Sequence, residues 1–232
     1  MRLRADAVLF DKDGTLFEFG ATWNAWGREA LQHLSEGCEA TLLALAEAAR
    51  FDLETQSFRA DSPVVAGTNR EAAACLASVL PGRSASEVEA YLEISGAEAP
   101  LVEAAPLVPL MAQLEALGLA LGVMTNDAES VAHAHLGHAG IRGVFDFIAG
   151  FDSGFGAKPD PAPLLAFADR LGLAPGRIVM VGDSPHDLTA GRAAGMQTVA
   201  VLTGPIGADR LAPLADAVLP DVGHLPGWLT AI

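Results

Sequence analysis

Apolar residues are spaced in two different ways along this chain, and the change of spacing divides it. Near the N-terminus the unbroken run Ala7-Val8-Leu9-Phe10 lies between Asp6 and Asp11. A run this short and continuous predicts a strand buried on both faces, hence a strand of a parallel sheet. From Phe17 to about Pro100 such runs vanish and alanine-rich stretches with helical period replace them. Helices are predicted at about 25–36, 39–55, 69–80 and 85–95, punctuated by Pro63, Gly67 and Pro81-Gly82. From Ala104 onward the two spacings alternate. Helices at about 107–117, 129–139, 161–171 and 187–194 interleave with strands at about 120–125, 145–149, 177–182 and 197–202, and the run 217–219 predicts an edge strand. Such alternation predicts an α/β fold, a doubly wound parallel sheet with right-handed crossovers. The expected division is a core of residues 1–17 and 101–232 and an inserted α-helical unit of residues 18–100.

Composition narrows the function. With 232 residues, 51% of them apolar, the chain has ample material for a large core. A formal net charge of −15 argues against nucleic acid or an anionic membrane as partner, since both require a basic footprint. An anionic small ligand would need local positive charge instead, from a bound cation, a lysine or helix N-termini. The two cysteines, Cys38 and Cys75, are expected reduced and partly buried rather than bridged. Residues Met1 to Asp6 do not read as a signal peptide, and no apolar run reaches the roughly 18 residues of a membrane span. A cytoplasmic protein is expected, as monomer or homodimer.

The chemistry concentrates after the first strand, in Phe10-Asp11-Lys12-Asp13-Gly14-Thr15-Leu16. In an extended segment Asp11 and Asp13 point the same way, at a strand end where open α/β sheets place their ligands. Gly14 permits a sharp turn and a close backbone approach, and Thr15 supplies a hydroxyl or caps the turn. On these residues alone, an Asp-Gly turn with solvated acids explains the stretch equally well. Downstream, Leu121-Gly122-Val123-Met124-Thr125-Asn126 ends a predicted strand, Lys158-Pro159 follows a glycine-rich loop, and Gly182-Asp183-Ser184-Pro185-His186-Asp187 follows another strand. Lys12 and Lys158 are the only lysines in the chain.

These four segments, in this order over nearly the whole chain, resemble the motifs of the haloacid dehalogenase (HAD) superfamily. The subgroup with a helical cap inserted at this point, which includes phosphoglycolate phosphatases, is the most similar. The resemblance implies a Rossmannoid core with the insertion closing over the active site. It implies a magnesium-dependent phosphatase acting on a small phosphorylated metabolite through an aspartyl-phosphate. Asp11 would be the nucleophile. Asp13 would be the general acid and base, with a pKa raised by its carboxylate neighbour. Mg2+ would be held by Asp11, the backbone carbonyl of Asp13, and Asp183. Asp187 would bind the metal through water or accept a hydrogen bond beside it; as a residue it reads equally as a helix N-terminal acid. Thr15, Thr125, the N–H of Asn126, and Lys158 would hold the phosphoryl oxygens, Lys158 pairing also with Asp11.

A sugar-phosphate mutase of the same fold and a catalytically silent phospho-ligand module are the alternatives. A dehalogenase would not keep Asp13 with the Gly-Thr pair, and a phosphonate hydrolase would need a cap lysine that residues 17–100 lack. Many relatives carry Asp-Ser where this chain has Glu18-Phe19, which leaves the substrate open. Arg59 and Arg70 are candidates for a substrate carboxylate or exposed solubilising residues. Phe19, Trp23 and Trp26 read as hinge packing more readily than as ligand contacts. His133, His135 and His138 are not expected to bind metal: i and i+2 on a helix face apart, and His135 with His138, which could share a face, would need matching ligands elsewhere. Gly154-Phe155-Gly156 lacks the third glycine of a dinucleotide loop.

Overall fold

A computed structural model describes residues 3–231; Met1, Arg2 and Ile232, the outer ends of the expected core, lie outside the described residues. The first strand, β1 (Ala7–Phe10), leads into five helices, α1 (Phe19–Ser35), α2 (Glu39–Ala49), α3 (Pro63–Ala66), α4 (Asn69–Ala77) and α5 (Ala85–Ala97). A small hairpin, β2 (Phe51–Asp52) and β3 (Ser57–Phe58), lies between the second and third of these. Alternation then begins: α6 (Leu107–Ala116), β4 (Ala120–Met124), α7 (Glu129–His138), β5 (Phe147–Ala149), α8 (Ala162–Leu171), β6 (Ile178–Gly182), α9 (Pro185–Ala193), β7 (Gln197–Val201), α10 (Ala208–Leu211), β8 (Ala217–Leu219) and α11 (Leu225–Thr230).

The large strands form one six-stranded sheet in the order β5-β4-β1-β6-β7-β8, with every pairing parallel. Side chains alternate across it as strand geometry requires. Val8 and Phe10 join Leu121, Val123, Val179 and Val181 in a cluster completed by α6, α7 and α11. Ala7 and Leu9 face the other way, into a cluster with Met180 and with Leu164, Phe167 and Ala190 of α8 and α9. Both faces are therefore covered, and the expected doubly wound α/β sheet is the observed architecture. No helix of the described residues is long and apolar enough to cross a membrane.

Residues between Phe19 and Ala99 bury a separate apolar cluster of their own, built on Trp23, Trp26, Leu31, Leu45, Phe51 and Val88 among others. The chain leaves and re-enters the sheet layer side by side: Glu18 N donates to Val102 O (2.8 Å) and Ala104 N to Leu16 O (2.9 Å).

The short helices α3, α10 and α11 are not expected from sequence, and two expected helices differ in extent. The first helix begins at Phe19 rather than near residue 25, because Phe19, Trp23, Trp26 and Ala30 form one buried stripe at helical spacing. The second ends at Ala49, where Arg50 turns left-handed with φ 51°. The expected continuation to 55 is replaced by the hairpin, which pairs Phe51 with Phe58 (4.9 Å, edge to face). The Asp52 carboxylate accepts from Glu54 N and Thr55 N (2.9 and 3.0 Å) to fix the turn. Both cysteines are free, Cys75 half-buried and Cys38 exposed rather than partly buried.

Candidate active site

Asp11 follows β1, the strand flanked by β4 and β6, so its neighbours on either side are the ends of those strands. Its backbone N–H donates to Val181 O (2.8 Å), and its buried carboxylate accepts from Lys158 Nζ at 2.6 Å. Lys158 comes from the loop before α8 and is held by Asn126: Nδ2 donates to the Lys158 carbonyl and Oδ1 accepts from Lys158 N, both at 2.9 Å. The same Nζ lies 2.7 Å from Asp187 Oδ1. The other Asp187 oxygen accepts from the backbone N and hydroxyl of Ser184 (3.0 and 2.7 Å), a capping box that starts α9.

Asp183 completes the group. Gly14, at φ +77°, and Gly204 pass so close that a Cβ on either would lie 2.3 or 1.7 Å from Asp183 Oδ2, so only glycine leaves room for that carboxylate.

Asp11, Asp183 and Asp187 each offer an oxygen within 4.8 Å of the others'. Burial first, then the charges of Asp187 and Asp13 against the partial relief of Lys158, push Asp11 up to about 7. Burial and the neighbouring Asp187 and Asp11 push Asp183 well above the ordinary carboxylate range. Burial alone would lower Lys158, but Asp11 and Asp187 outweigh it and keep the amine charged. Three buried carboxylates against one ammonium, with oxygen the only donor atom, are a donor set suited to a hard divalent cation.

Asp13 stands apart from that group. Its carboxylate accepts from Lys12 Nζ (2.8 Å to Oδ1, 2.7 Å to Oδ2) and from Trp23 Nε1 (2.8 Å). The raised pKa expected from sequence is not found: burial pushes the acid up, but the Lys12 ammonium outweighs burial and holds it below the ordinary range. Lys12 is fully buried. Its Nζ also lies 3.2 Å from Asp127 Oδ2 and 3.0 Å from His135 Nδ1, and 5.3 Å from the Trp23 ring centre. An ammonium only donates, so His135 Nδ1 accepts; its Nε2–H then donates to Gly96 O at 2.8 Å. Burial and the Lys12 charge push that imidazole down to about 4. His138 on the same helix is exposed.

Thr125 and Asn126 line the cavity above Asp11, and Thr125 Oγ1 accepts from Asp127 N (3.1 Å). Thr15, expected to contact phosphate, is fully buried away from that cavity and its hydroxyl has no partner. Phe19, Trp23 and Trp26 do line it, beyond the hinge packing read from sequence. Arg59 is exposed, and Arg70 pairs with Glu89 and lies over Phe151; neither lines the cavity.

Four contributors were missed from sequence: Lys12, Asp127, His135 and Asn69, whose Nδ2 donates to Asp127 Oδ1 at 2.7 Å. Lys12 alone carried a signal, as one of two lysines and set between two acids.

The comparisons with known proteins agree with this arrangement. The family model described as haloacid dehalogenase-like hydrolase matches residues 5–195. The chain is 33% identical to a phosphoglycolate phosphatase of Xanthomonas campestris pv. campestris over 206 residues, 85% of this chain and 83% of that one. It is 40% identical over 121 residues to the phosphoglycolate phosphatase of Rhodospirillum rubrum, 52% of this chain, and there it spans only about half the relative's length (50%). Among solved structures, CbbY of Rhodobacter sphaeroides in complex with phosphate superposes with a TM-score of 0.68 at 22% identity, covering 95% of this chain and 96% of that one, a likeness of fold. With 191 of its residues under that family model, and its sheet order and acid cluster in accord, the chain belongs to the haloacid dehalogenase-like hydrolases.

Proposed function

We propose that this protein is a magnesium-dependent phosphatase that hydrolyses a small phosphomonoester through an aspartyl-phosphate on Asp11. The observation that carries the reading is Lys158 Nζ set between Asp11 and Asp187 at 2.6 and 2.7 Å, with Asp183 alongside. Asp11 attacks phosphorus; the Asp11 O–P bond forms as the ester P–O bond breaks, and water later cleaves the acyl phosphate. Asp13 gives a proton to the departing alkoxide and takes one from the attacking water. Held ionised by Lys12, Asp13 is ready for the second step. For the first it needs a proton, which a phosphate dianion beside it favours by like-charge repulsion. Lys158 neutralises a phosphoryl oxygen, and Thr125 with the Asn126 N–H, ahead of α7, receives the others.

Magnesium, held by Asp11, Asp183, Asp187 and the Asp13 carbonyl, would supply the remaining neutralising charge on the phosphoryl group. Residues 18–100 act as a cap and residues 1–17 with 101–232 as the core. That division is supported by the separate apolar cluster and by the paired connections at Glu18 and Ala104. The relatives named above are phosphoglycolate phosphatases, and phosphoglycolate is the reference ester for assay.

The test is phosphate release from a panel of phosphomonoesters with and without Mg2+, using Asp11→Asn as control. Turnover is expected to require Mg2+ and to fall by roughly 10³-fold or more in Asp11→Asn, with thermal unfolding near wild type. Residual turnover close to wild type would contradict the covalent step.

A further inference from the structure

The catalytic reading uses only the floor of the cavity. The whole cavity, floor included and counted out to the open mouth, spans about 620 Å3, and the rest of its wall is built by Phe19, Trp23, Trp26, Val64, Val65 and Asn69 of the cap. None of these is charged. Both indole N–H groups are already spent inside the protein, Trp23 on Asp13 and Trp26 on Ser95 Oγ (3.1 Å). Asn69 spends an amide N–H on Asp127. Beyond the rest of that one amide, rings and branched aliphatics are what these residues leave for a ligand.

Positive charge is equally scarce. Among the lining residues Lys158 is the single lysine or arginine, and it already bonds two carboxylates. The other lysine is buried beneath Asp13. Beyond Thr125 and Asn126, the lining side chains of uncharged polar type that could meet a hydroxyl or ether oxygen are Asn69, Ser184 and His186. Five lining residues are aspartates: Asp11, Asp13, Asp127, Asp183 and Asp187.

An ester brought phosphoryl-first to Asp11 points its alcohol at the cap wall. A carboxylate on that alcohol would be stripped of water among apolar groups and aspartates, with no unpaired lysine or arginine to receive it. An uncharged alcohol with an apolar or aromatic body buries its surface against Trp23, Trp26 and the valines instead. We infer that the substrate is a phosphomonoester of an uncharged, largely apolar alcohol, and that phosphoglycolate is a poor substrate for this chain. The inference rests on the phosphatase reading above and names the substrate class of the same site.

Benzyl phosphate and phosphoglycolate test it, since both expel a primary alkoxide and differ in the charge of the alcohol. With Mg2+, kcat/KM is expected to favour benzyl phosphate by about tenfold or more, mostly through KM. Val65→Arg, with Val64→Arg as a second variant should the first not fold, is expected to lower that ratio by giving a carboxylate a partner. Equal or better turnover of phosphoglycolate by the wild type overturns the inference and leaves the phosphatase reading standing. If neither ester nor p-nitrophenyl phosphate is hydrolysed, the phosphatase reading fails. Binding of the two esters to Asp11→Asn, measured by calorimetry, then decides the inference alone: tighter binding of phosphoglycolate overturns it.

Discussion

Replacing Lys12 by methionine keeps most of the side chain's length and apolar stem while removing its charge. In the wild type this ammonium is fully buried and lies 2.7 Å from Asp13, 3.2 Å from Asp127 and 3.0 Å from His135 Nδ1. Methionine fills the space, so the cavity contribution to the loss is small. What dominates is two buried carboxylates left without their cation, a change that costs about 3–5 kcal/mol. For a chain of this size each kcal/mol moves Tm by about 2–4 °C, so Lys12→Met is expected to melt roughly 6–20 °C below wild type. Differential scanning calorimetry in Mg2+ buffer at neutral pH measures it.

A double-mutant cycle with Asp127→Asn isolates the electrostatic part. Asp127→Asn is expected to destabilise the wild type and to stabilise Lys12→Met, because it removes a charge that has lost its partner. A Lys12→Met protein melting within about 2 °C of wild type, or a cycle with no coupling, would refute the reasoning.

Three further expectations follow from single contacts. His135 is neutral when folded, at about 4 against 6.5 for the free imidazole, so its contribution is complete above pH 6.5 and is lost as pH falls toward 4. Between pH 7 and 5 the stability gap between wild type and His135→Gln should shrink by about 2 kcal/mol in urea titrations, and a gap constant with pH would count against it. Mg2+ at about 100 times its Kd should stabilise the wild type by about 2.7 kcal/mol, and Asp183→Asn should lose most of that gain in thermal shift. Gly204→Ala, whose Cβ would fall 1.7 Å from Asp183 Oδ2, should lower kcat/KM about tenfold or more by displacing that carboxylate. Gly137→Ala, which meets nothing within 4 Å, should leave it unchanged.

The legible part of this site is the part that strand ends determine. Once β1, β4 and β6 are adjacent and parallel, Asp11, Thr125 and Asp183 must converge at one edge of the sheet, and short apolar runs followed by those residues are visible in a bare sequence. Lys158 was legible by type, but its position depends on the two amide bonds from Asn126, which no spacing announces. The contacts beneath Asp13 were not legible. His135 reaches Lys12 from 123 residues away, and Asn69 reaches Asp127 from 58 residues away, pairings that only tertiary packing creates. The raised pKa expected for Asp13 considered its carboxylate neighbour and omitted the residue between them. The lost hairpin has a similar origin: residues 39–55 hold the composition of a helix, and what ends it is the mutual burial of Phe51 and Phe58.

Charge pairing in the cavity makes the remaining argument. The two lysines divide four of the five aspartates between them, Lys158 taking Asp11 and Asp187, and Lys12 taking Asp13 and Asp127. The inserted helices add a donor to the second pair, from Trp23 to Asp13 and from Asn69 to Asp127. Asp183 is paired with neither ammonium, and it is the carboxyl that burial and its neighbours push well above the ordinary range. The acid left without a cation is therefore one buried carboxyl, walled by the backbone of Gly14 and Gly204. A divalent cation beside Asp183, shared with a carboxylate oxygen of Asp11 and one of Asp187, is the addition that relieves it. The same logic separates the two halves of the cavity: positive charge is supplied where a phosphoryl group would sit, and no unpaired lysine or arginine is left for a second anion beside the inserted helices.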